Sequence, residues 1–405
     1  MGDLGRISTG MFFSNMSTRT SAAEASLYSI QQQLSSGKRI NTPSDDPLGA
    51  AQLSVIKDQA NQNTVFSKAI DAAKNNIQTG AAAVGSALGQ LQNAFQLAVQ
   101  ARNGSYGPGD LKNLGSTLGG ILSDLVQTAN AQDGAGNYLF AGSKSQTQPF
   151  QFNGAQYAYQ GDQTVGFVRT GAASLTQTSW TGLSLFAGGL SGDGVVDASA
   201  GSANAGNGVV TQIVQSSPGS YNGDKYSVAF STSGNQIQAT ATNLSTSTIV
   251  AGPVNFTEGQ PLSFAGVSLT INGAPQAGDV FNVDAAQRFN VLDALSSLAN
   301  TLSNSGSYSK SQVQNTLAQS QRLLSSSLTN MTSESAMMGS ELNTLATQKT
   351  AVEDRGVGIE VSRSALEDVD FAKAINDFTA QKTALTASLQ SFAAISGLSL
   401  FNYLK

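Results

Sequence analysis

Apolar and small residues recur at steps of three and four positions through both ends of the chain. Such steps place side chains on one face of an α-helix, as in an amphipathic helix or a coiled coil. Both ends are therefore predicted to be long amphipathic helices. The N-terminal residues in this spacing are Phe13, Met16, Thr20, Ala23, Leu27, Ile30 and Leu34, and the C-terminal ones are Phe371, Ile375, Phe378, Lys382, Leu385, Leu389 and Phe392.

A second long helix is predicted from Leu53 to Ala98, which at 1.5 Å per residue would extend about 70 Å. Gly80, Gly85 and Gly89 each cost about 1 kcal/mol relative to alanine inside a helix, so this helix needs neighbours to hold it. The spacing fits a bundle core within one chain as well as packing against other copies. Its predicted core positions are Leu53, Ile56, Ala60, Asn63, Ser67, Ile70, Lys74, Ile77, Ala81, Val84, Leu88, Leu91, Phe95 and Ala98.

The first two helices are joined by residues 37–47, a segment that we call the elbow. Gly37 can end the first helix with a positive φ. Asp45 and Asp46 can cap the second helix, and Pro47 suits its first turn. Paired carboxylates can also perform acid–base chemistry, but capping accounts for them here, and we predict a stiff corner. The elbow residues of interest are Gly37, Arg39, Asn41, Pro43, Asp45, Asp46 and Pro47.

After a glycine-rich loop at 103–110, a third helix is predicted through Leu111, Leu114, Leu118, Ile121, Leu125 and Ala129. Between 143 and 284 the spacing changes to two, and short β-prone runs alternate with turn residues. We predict one or two antiparallel β domains there, separated by a linker at about 188–208 that is rich in Gly, Ala and Ser. The predicted strands are 156–160, 165–170, 226–232, 237–242, 267–271 and 280–283.

Helical spacing returns after the β region. Asp284 to Gln287 is predicted to be a capping box that opens a helix through Phe289, Leu292, Leu295, Leu298 and Leu302, and Ser309 to Gln312 is predicted to repeat the device. Glu367, Asp368 and Asp370 are predicted to lie at the N-terminal end of the last helix, where acidic side chains are favourable. The long helix opened by the second capping box is predicted to run through Val313, Leu317, Leu324, Met331, Met338, Leu342 and Leu345.

Composition excludes several classes of protein. The 405 residues include no cysteine and no histidine, which removes disulfides, thiolate nucleophiles, imidazole bases and the usual zinc ligands. The net charge of −5 argues against nucleic acid as a partner, and no apolar run approaches the roughly 18 residues of a membrane span. No cleaved signal peptide is expected at the N terminus. We therefore expect no enzymatic activity, no cofactor and no metal.

Other motifs in the β region have two interpretations each. Gly192, Asp193, Gly194 and Asp197 hint at a calcium loop, but no acidic residue falls at the end of a 12-residue frame, so the stretch is interpreted as linker. Trp180 and the tyrosines could stack on sugar rings, although aromatic strand residues are more often core. The tyrosines concerned are Tyr157, Tyr159, Tyr221 and Tyr226.

Several ordered motifs resemble those of the flagellin-type axial proteins of the bacterial flagellum. The N-terminal motif is Ser35-Ser36-Gly37, Arg39-Ile40-Asn41 and Asp45-Asp46, preceded by Arg6-Ile7-Ser8-Thr9. Further matches are the run Asn137 to Gly142, the run Leu366 to Asp370, and the closing run Leu398 to Leu404, in which Asn402 stands where relatives often carry Asp. The prolines that flank the elbow acids are more typical of the hook-associated members than of flagellin.

The resemblance implies a structural adapter at the junction between hook and filament. Its implied partners are copies of itself in a ring, the first hook-associated protein, flagellin and a cytoplasmic export chaperone, without nucleic acid or membrane. The implied location is extracellular, in the flagellum, after export by the flagellar type III system without a cleaved signal peptide. Two alternatives remain: a flagellin that forms the filament itself, or a surface glycan-binding protein or glycosidase with a carboxylate pair such as Asp193 and Asp197.

The expected fold is α+β: a long antiparallel helical bundle or coiled coil from both chain ends, with inserted antiparallel β domains. The predicted domains are 1–45 plus 365–405, 46–142 plus 285–364, 143–190 and 209–284. The predicted assembly interface is Leu27, Ile30, Leu34, Phe371, Ile375, Phe378, Leu385, Leu389 and Phe392. The predicted chaperone site lies within residues 366–405 and includes Leu385, Leu389, Phe392, Leu400 and Phe401.

Overall fold

The structure is a computed structural model that describes the backbone of residues 9–403, with the side chains of residue 11 and residues 14–394. Contacts between Cα atoms divide the chain into two compact units, which we call the terminal unit (residues 1–68 and 349–405) and the central unit (residues 69–348). The predicted division into four domains stays a prediction. The α-helices are α1 (Thr9–Ser36), α2 (Pro47–Ala101), α3 (Pro108–Ala129), α4 (Gly182–Phe186), α5 (Val291–Ser303), α6 (Lys310–Glu367) and α7 (Phe371–Tyr403).

The described residues of the terminal unit are helical apart from the connections between helices. Helix α1 packs against α7, the pairing of chain ends that the apolar spacing predicted. The first part of α2 lies antiparallel to the last part of α6: Asn63 Nδ2 donates to the carbonyl oxygen of Val352 at 2.8 Å, and Lys349 Nζ donates to Ser67 Oγ at 2.8 Å. Asn63 and Ser67 were poor candidates for an apolar seam, and here they bond across it instead.

In the central unit, α2 keeps the predicted steps of three and four, but at four of the nine predicted core positions the buried residue is the one before that predicted. Ile70, Ile77, Val84, Leu91 and Ala98 are buried as predicted. Between them the buried positions are Ala73, Gly80, Ala87 and Ala94, whereas Lys74 is exposed and Ala81, Leu88 and Phe95 are half-buried. The shifted positions all carry alanine or glycine, which a count of large apolar residues does not detect.

The other helices of the central unit also bury apolar seams. Helix α3 packs against α5, and four predicted leucines of α5 are fully buried, as is Leu122 of α3 in place of the predicted Ile121. Helix α6 buries a residue at every seventh position, as in a coiled-coil seam, while the predicted Leu342 is only half-buried. The buried α6 positions in this series are Leu317, Leu324, Met331, Met338 and Leu345.

All six predicted strands are present, together with six that were not predicted. The first four strands form two antiparallel hairpins, β1–β2 and β3–β4. The other eight form a five-stranded sheet in the order β5-β12-β7-β8-β9 and a three-stranded sheet in the order β10-β11-β6. The strands are β1 (Phe150–Phe152), β2 (Tyr157–Tyr159), β3 (Phe167–Arg169), β4 (Leu175–Gln177), β5 (Val196–Ala200), β6 (Val209–Gln215), β7 (Tyr226–Ser233), β8 (Gln236–Asn243), β9 (Thr248–Asn255), β10 (Pro261–Phe264), β11 (Val267–Asn272) and β12 (Val280–Ala285).

The five-stranded and three-stranded sheets share one apolar core. Phe230 and Phe281 contribute from the larger sheet and Leu269 from the smaller one. Strand β5 belongs to this core, so the stretch 188–208 is not simply a linker: Val196 and Ala198 are buried, and the strand pairs with β12. Because its residues are small and few of them are apolar, the stretch was not predicted to contain a strand, although Val196 and Ala198 are buried at alternate positions.

One of the two predicted capping boxes is wrong and the other is confirmed. Asp284 lies in β12, and α5 begins at Val291, where the side chain of Asn290 accepts a hydrogen bond from the Leu292 N–H at 2.9 Å. Asp284 and Ala285 belong to β12, which pairs with β5, so they are not available to begin a helix. At the start of α6, Ser309 and Gln312 exchange hydrogen bonds in both directions, at 2.8 and 3.1 Å.

The predicted α+β architecture, with helices from both chain ends and antiparallel sheets inserted between them, is confirmed. None of the helices in the described part of the chain is both long enough and apolar enough to cross a membrane.

Candidate assembly site at the elbow and the terminal helices

The elbow has the local turn structure that its sequence predicts. Helix α1 ends at Ser36, and Gly37 follows with φ of +70°, a conformation that strains any residue with a Cβ. A carboxylate oxygen of Asp45 accepts hydrogen bonds from the N–H groups of Asn41, at 3.0 Å, and Thr42, at 2.7 Å. The bond from Thr42 is the main cause that lowers the pKa of Asp45. This carboxylate holds the turn together.

Asp46 caps α2 and binds the elbow arginine. Its Oδ1 accepts a hydrogen bond from the Gly49 N–H at 2.9 Å, and its Oδ2 lies 3.0 Å from Nη1 of Arg39. These two contacts, the backbone bond first, lower the pKa of Asp46. A methyl group at Gly49 would overlap Oδ2 of Asp46 and Cδ1 of Ile40, so these two side chains would have to shift to admit it. The elbow acids therefore act as caps and turn anchors.

The elbow is fastened to the segment between α6 and α7. The Arg39 N–H donates to the Glu367 carbonyl at 2.6 Å, and the Val369 N–H donates to the Gly37 carbonyl at 3.0 Å, so Lys38 and Asp368 form an isolated antiparallel bridge. The Arg39 guanidinium also donates twice to the carbonyl of Leu366, at 2.8 and 3.2 Å. This is one short piece of sheet between the two ends of the chain.

We call the contact between the elbow and residues 366–369 the joint. Glu367, the last residue of α6, is its charged centre. Its side chain is 2% exposed and lies against three cations. Lys38 Nζ is 2.8 Å and Lys57 Nζ 3.2 Å from Oε1, and Arg363 Nη1 is 2.7 Å from Oε2. The bond from Lys38, followed by those from Lys57 and Arg363, lowers the pKa of Glu367 to about 2 in spite of its burial. Elbow, α2 and α6 thus meet at one carboxylate.

The role of Glu367 is not evident from the sequence. The acidic cluster was assigned to the N-terminal end of the last helix, whereas Glu367 ends α6 and only Asp370, which immediately precedes α7, accepts a hydrogen bond from the first turn of α7, from the Lys373 N–H at 3.1 Å. The spacing of Arg363 and Glu367 on one helix face is a local signal for an ion pair. The lysines come from distant parts of the chain, and no local pattern indicates them.

The predicted interface residues lie along the paired terminal helices. Six of them are half-buried: Leu27, Ile30, Leu34, Phe378, Leu385 and Phe392. The other three, Phe371, Ile375 and Leu389, are 46–53% exposed. No α1 side chain that the structure describes is fully buried, and of the described α7 side chains only Ala374 is. The pair of helices therefore leaves apolar surface uncovered.

Some sequence predictions fall outside the described side chains. Leu400 and Phe401 belong to α7, but the structure does not describe their side chains. The side chains of the motifs Arg6 to Thr9 and Leu398 to Leu404 are not described either. The remaining predicted motifs are accounted for by local structure. Asp193 accepts from the N–H groups of Val195, Val196 and Gln215, and Trp180 and Tyr226 are buried.

Comparison with known proteins agrees with the terminal motifs. The family model of the bacterial flagellin N-terminal helical region matches residues 7–145, and that of the bacterial flagellin C-terminal helical region matches residues 321–404, together more than half of the chain. The chain is 25% identical to flagellar hook-associated protein 3 of Salmonella typhimurium over 396 residues, which cover 98% of each of the two chains.

Two solved structures are similar as well. FlgL of Xanthomonas campestris is 27% identical with a TM-score of 0.70, covering 76% of this chain and 99% of that one. The flagellar junction protein FlgL of Legionella pneumophila is 25% identical with a TM-score of 0.69, covering 78% of this chain and 100% of that one. The chain thus belongs to the flagellin family of bacterial flagellar proteins, and its likeness to hook-associated protein 3 extends over its full length.

Proposed function

We propose that this protein is the structural adapter at the junction between hook and filament, with the first hook-associated protein on one side and flagellin on the other. The observation that carries the proposal is the likeness to hook-associated protein 3 over 98% of both chains, which includes the inserted β region as well as the flagellin-like ends. The proposed adapter catalyses no reaction. It binds the first hook-associated protein with one surface and flagellin with another.

The apolar surface of the terminal helices supports a mechanism of assembly. A single amphipathic helix is marginal in water, and α1 and α7 together still expose Phe371, Ile375 and Leu389. Burial of apolar surface contributes about 25 cal/mol per Å², so copies arranged in a ring would gain stability by covering these residues. The ring and both axial neighbours are parts of the proposal.

The joint at Glu367 is a second observation that supports assembly of copies into a ring. The elbow and the start of α7 are held together by backbone bonds and by a buried carboxylate, so α1 and α7 leave the joint in a fixed relation to each other. A fixed relation lets every copy present the same interface, as a closed ring requires.

The test is addition of the purified protein to isolated hooks that carry the first hook-associated protein, followed by electron microscopy. We expect a short cap that then accepts flagellin. Ile375→Ser should leave the far-UV circular dichroism unchanged but reduce cap formation, and Thr379→Ser on the same helix should behave like the parent. Growth of long filaments by the protein alone would contradict the adapter proposal and favour a flagellin.

We also propose that a cytoplasmic export chaperone covers the C-terminal helix before the flagellar type III system exports the protein. Leu385, Leu389 and Phe392 would contribute to its site, together with Leu400 and Phe401. A pull-down with the chaperone encoded beside the flagellar genes tests this. Leu385→Asp with Leu389→Asp should abolish capture, and capture equal to that of the parent would exclude these residues.

A further inference from the structure

A cleft of about 460 Å³ lies in the central unit between α6, the β3–β4 hairpin and α4. Its volume falls in the range of small-ligand sites. Three charged side chains reach it: Glu334 and Glu341 of α6, and Arg288 from the segment before α5. Neither the terminal helices nor the elbow takes part in this cleft.

The charged groups of the cleft are not paired with one another. Within the part of the chain that the structure describes, no cation lies within ion-pair distance of Glu334 or Glu341, and Arg288 has no carboxylate partner. Burial of Glu334 raises its pKa, and the polar interaction with the nearby side chain of Trp180 offsets this effect only in part.

The arrangement on α6 favours a ligand that is apolar along its length and cationic at one end. Residues 334, 337 and 341 lie on one helix face at steps of three and four, and the carboxylates are attached about 10 Å apart along the axis. Met337 lies between them and is 48% exposed. A lysine or arginine side chain has this form, with an aliphatic stem for Met337 and a charged head for the carboxylates.

Other ligands fit less well. A sugar ring would need an exposed aromatic face, and Trp180 is only 5% exposed. An anion would be repelled by the carboxylates of Glu334 and Glu341 and attracted only by the guanidinium of Arg288. We infer that this cleft is a docking site for a lysine or arginine side chain presented by a protein partner, beyond the contacts that form the proposed ring.

The only tryptophan of the chain lies in the cleft, so its fluorescence reports the site directly. The full-length protein is titrated with Nα-acetyl-lysine methylamide and with the arginine analogue. The norleucine analogue tests for apolar binding alone, and sodium chloride controls for ionic strength. We expect a saturable change with the two cations only, with a dissociation constant on the order of 10 mM for a single side chain.

Substitutions separate the site from general charge effects. Glu341→Gln, which does not touch Trp180, should weaken binding about fivefold, and Arg288→Gln should strengthen it because a like charge is removed. Asp124→Asn, at an exposed position of α3, should bind like the parent. A saturable response to norleucine, an unchanged affinity in Glu341→Gln, or no response to either cation would overturn the inference.

Discussion

Nζ of Lys57 lies 3.2 Å from Oε1 of Glu367, although 310 positions separate the two residues along the chain. Lys38 of the elbow reaches the same oxygen, and Arg363 reaches the other one. Since these four side chains come from three separate segments, the elbow, the first part of α2 and the end of α6 must be in place before all of them can meet.

Replacement of Glu367 by glutamine should destabilise the terminal unit. Three donors lose a charged acceptor, and hydrogen bonds to charged groups contribute more than neutral ones, so we expect a loss of about 2 kcal/mol in the free energy of unfolding. The lysines are half exposed and can turn to water, which keeps the loss below that of a fully buried pair. Urea unfolding at pH 7, followed by far-UV circular dichroism, measures it.

Glu360→Gln is the matched control for that variant. Glu360 lies on the same helix and also binds Arg363, but its side chain is 63% exposed. Exposed pairs are screened by water, so the effect should be much smaller than that of Glu367→Gln. Equal losses from both substitutions would show that Arg363, and not the buried carboxylate, holds the joint.

Acid should weaken the same joint. The pKa of Glu367 is lowered from 4.5 to about 2, so the unfolded chain takes up a proton at higher pH than the folded one. The stabilisation is complete above about pH 4.5 and is lost as the pH falls toward 2. Unfolding free energies measured at pH 7, 5, 4 and 3 should decrease, and less steeply in Glu367→Gln. Some slope should remain in that variant, because the pKa values of Asp45 and Asp46 are lowered too. Identical slopes in both proteins would contradict the assignment.

The contrast between the elbow and Glu367 shows what the sequence could predict. Gly37, Asp46 and Pro47 act on residues a few positions away, so turn chemistry was enough to place the end of α1 and the start of α2. The partners of Glu367 are fixed only by the fold. Strand length does not explain which strands were missed: β2 and β3, of three residues each, were predicted, whereas β6 and β9, of seven and eight residues, were not.

The register of α2 is a further case in which local pattern was insufficient. Counting large apolar residues favoured Leu88, but the buried positions are Ala87 and Leu91. We expect Leu91→Ala to cost about 3 kcal/mol, because it leaves a cavity in a fully buried site. Leu88→Ala should cost clearly less, since Leu88 is half-buried. Leu91 is a core position in either register, so Leu88→Ala is the variant that tests it: in thermal unfolding, a loss for Leu88→Ala as large as that for Leu91→Ala would restore the predicted register.

Glycine-to-alanine substitutions should have opposite effects at two positions. At Gly37, φ of +70° is strained for alanine, so Gly37→Ala should destabilise the terminal unit by about 1 kcal/mol. At Gly85, inside α2, an added methyl group would meet no atom within 4 Å, and Gly85→Ala should stabilise the helix by a similar amount. Both changes add the same group and alter no charge, and the added group at Gly37 would meet Phe371 only at an ordinary contact distance of 3.8 Å, so backbone conformation accounts for a difference in sign. Urea unfolding of the two variants beside the parent measures it. A stabilised Gly37→Ala would mean that the elbow is not held in the turn that fastens it to Glu367.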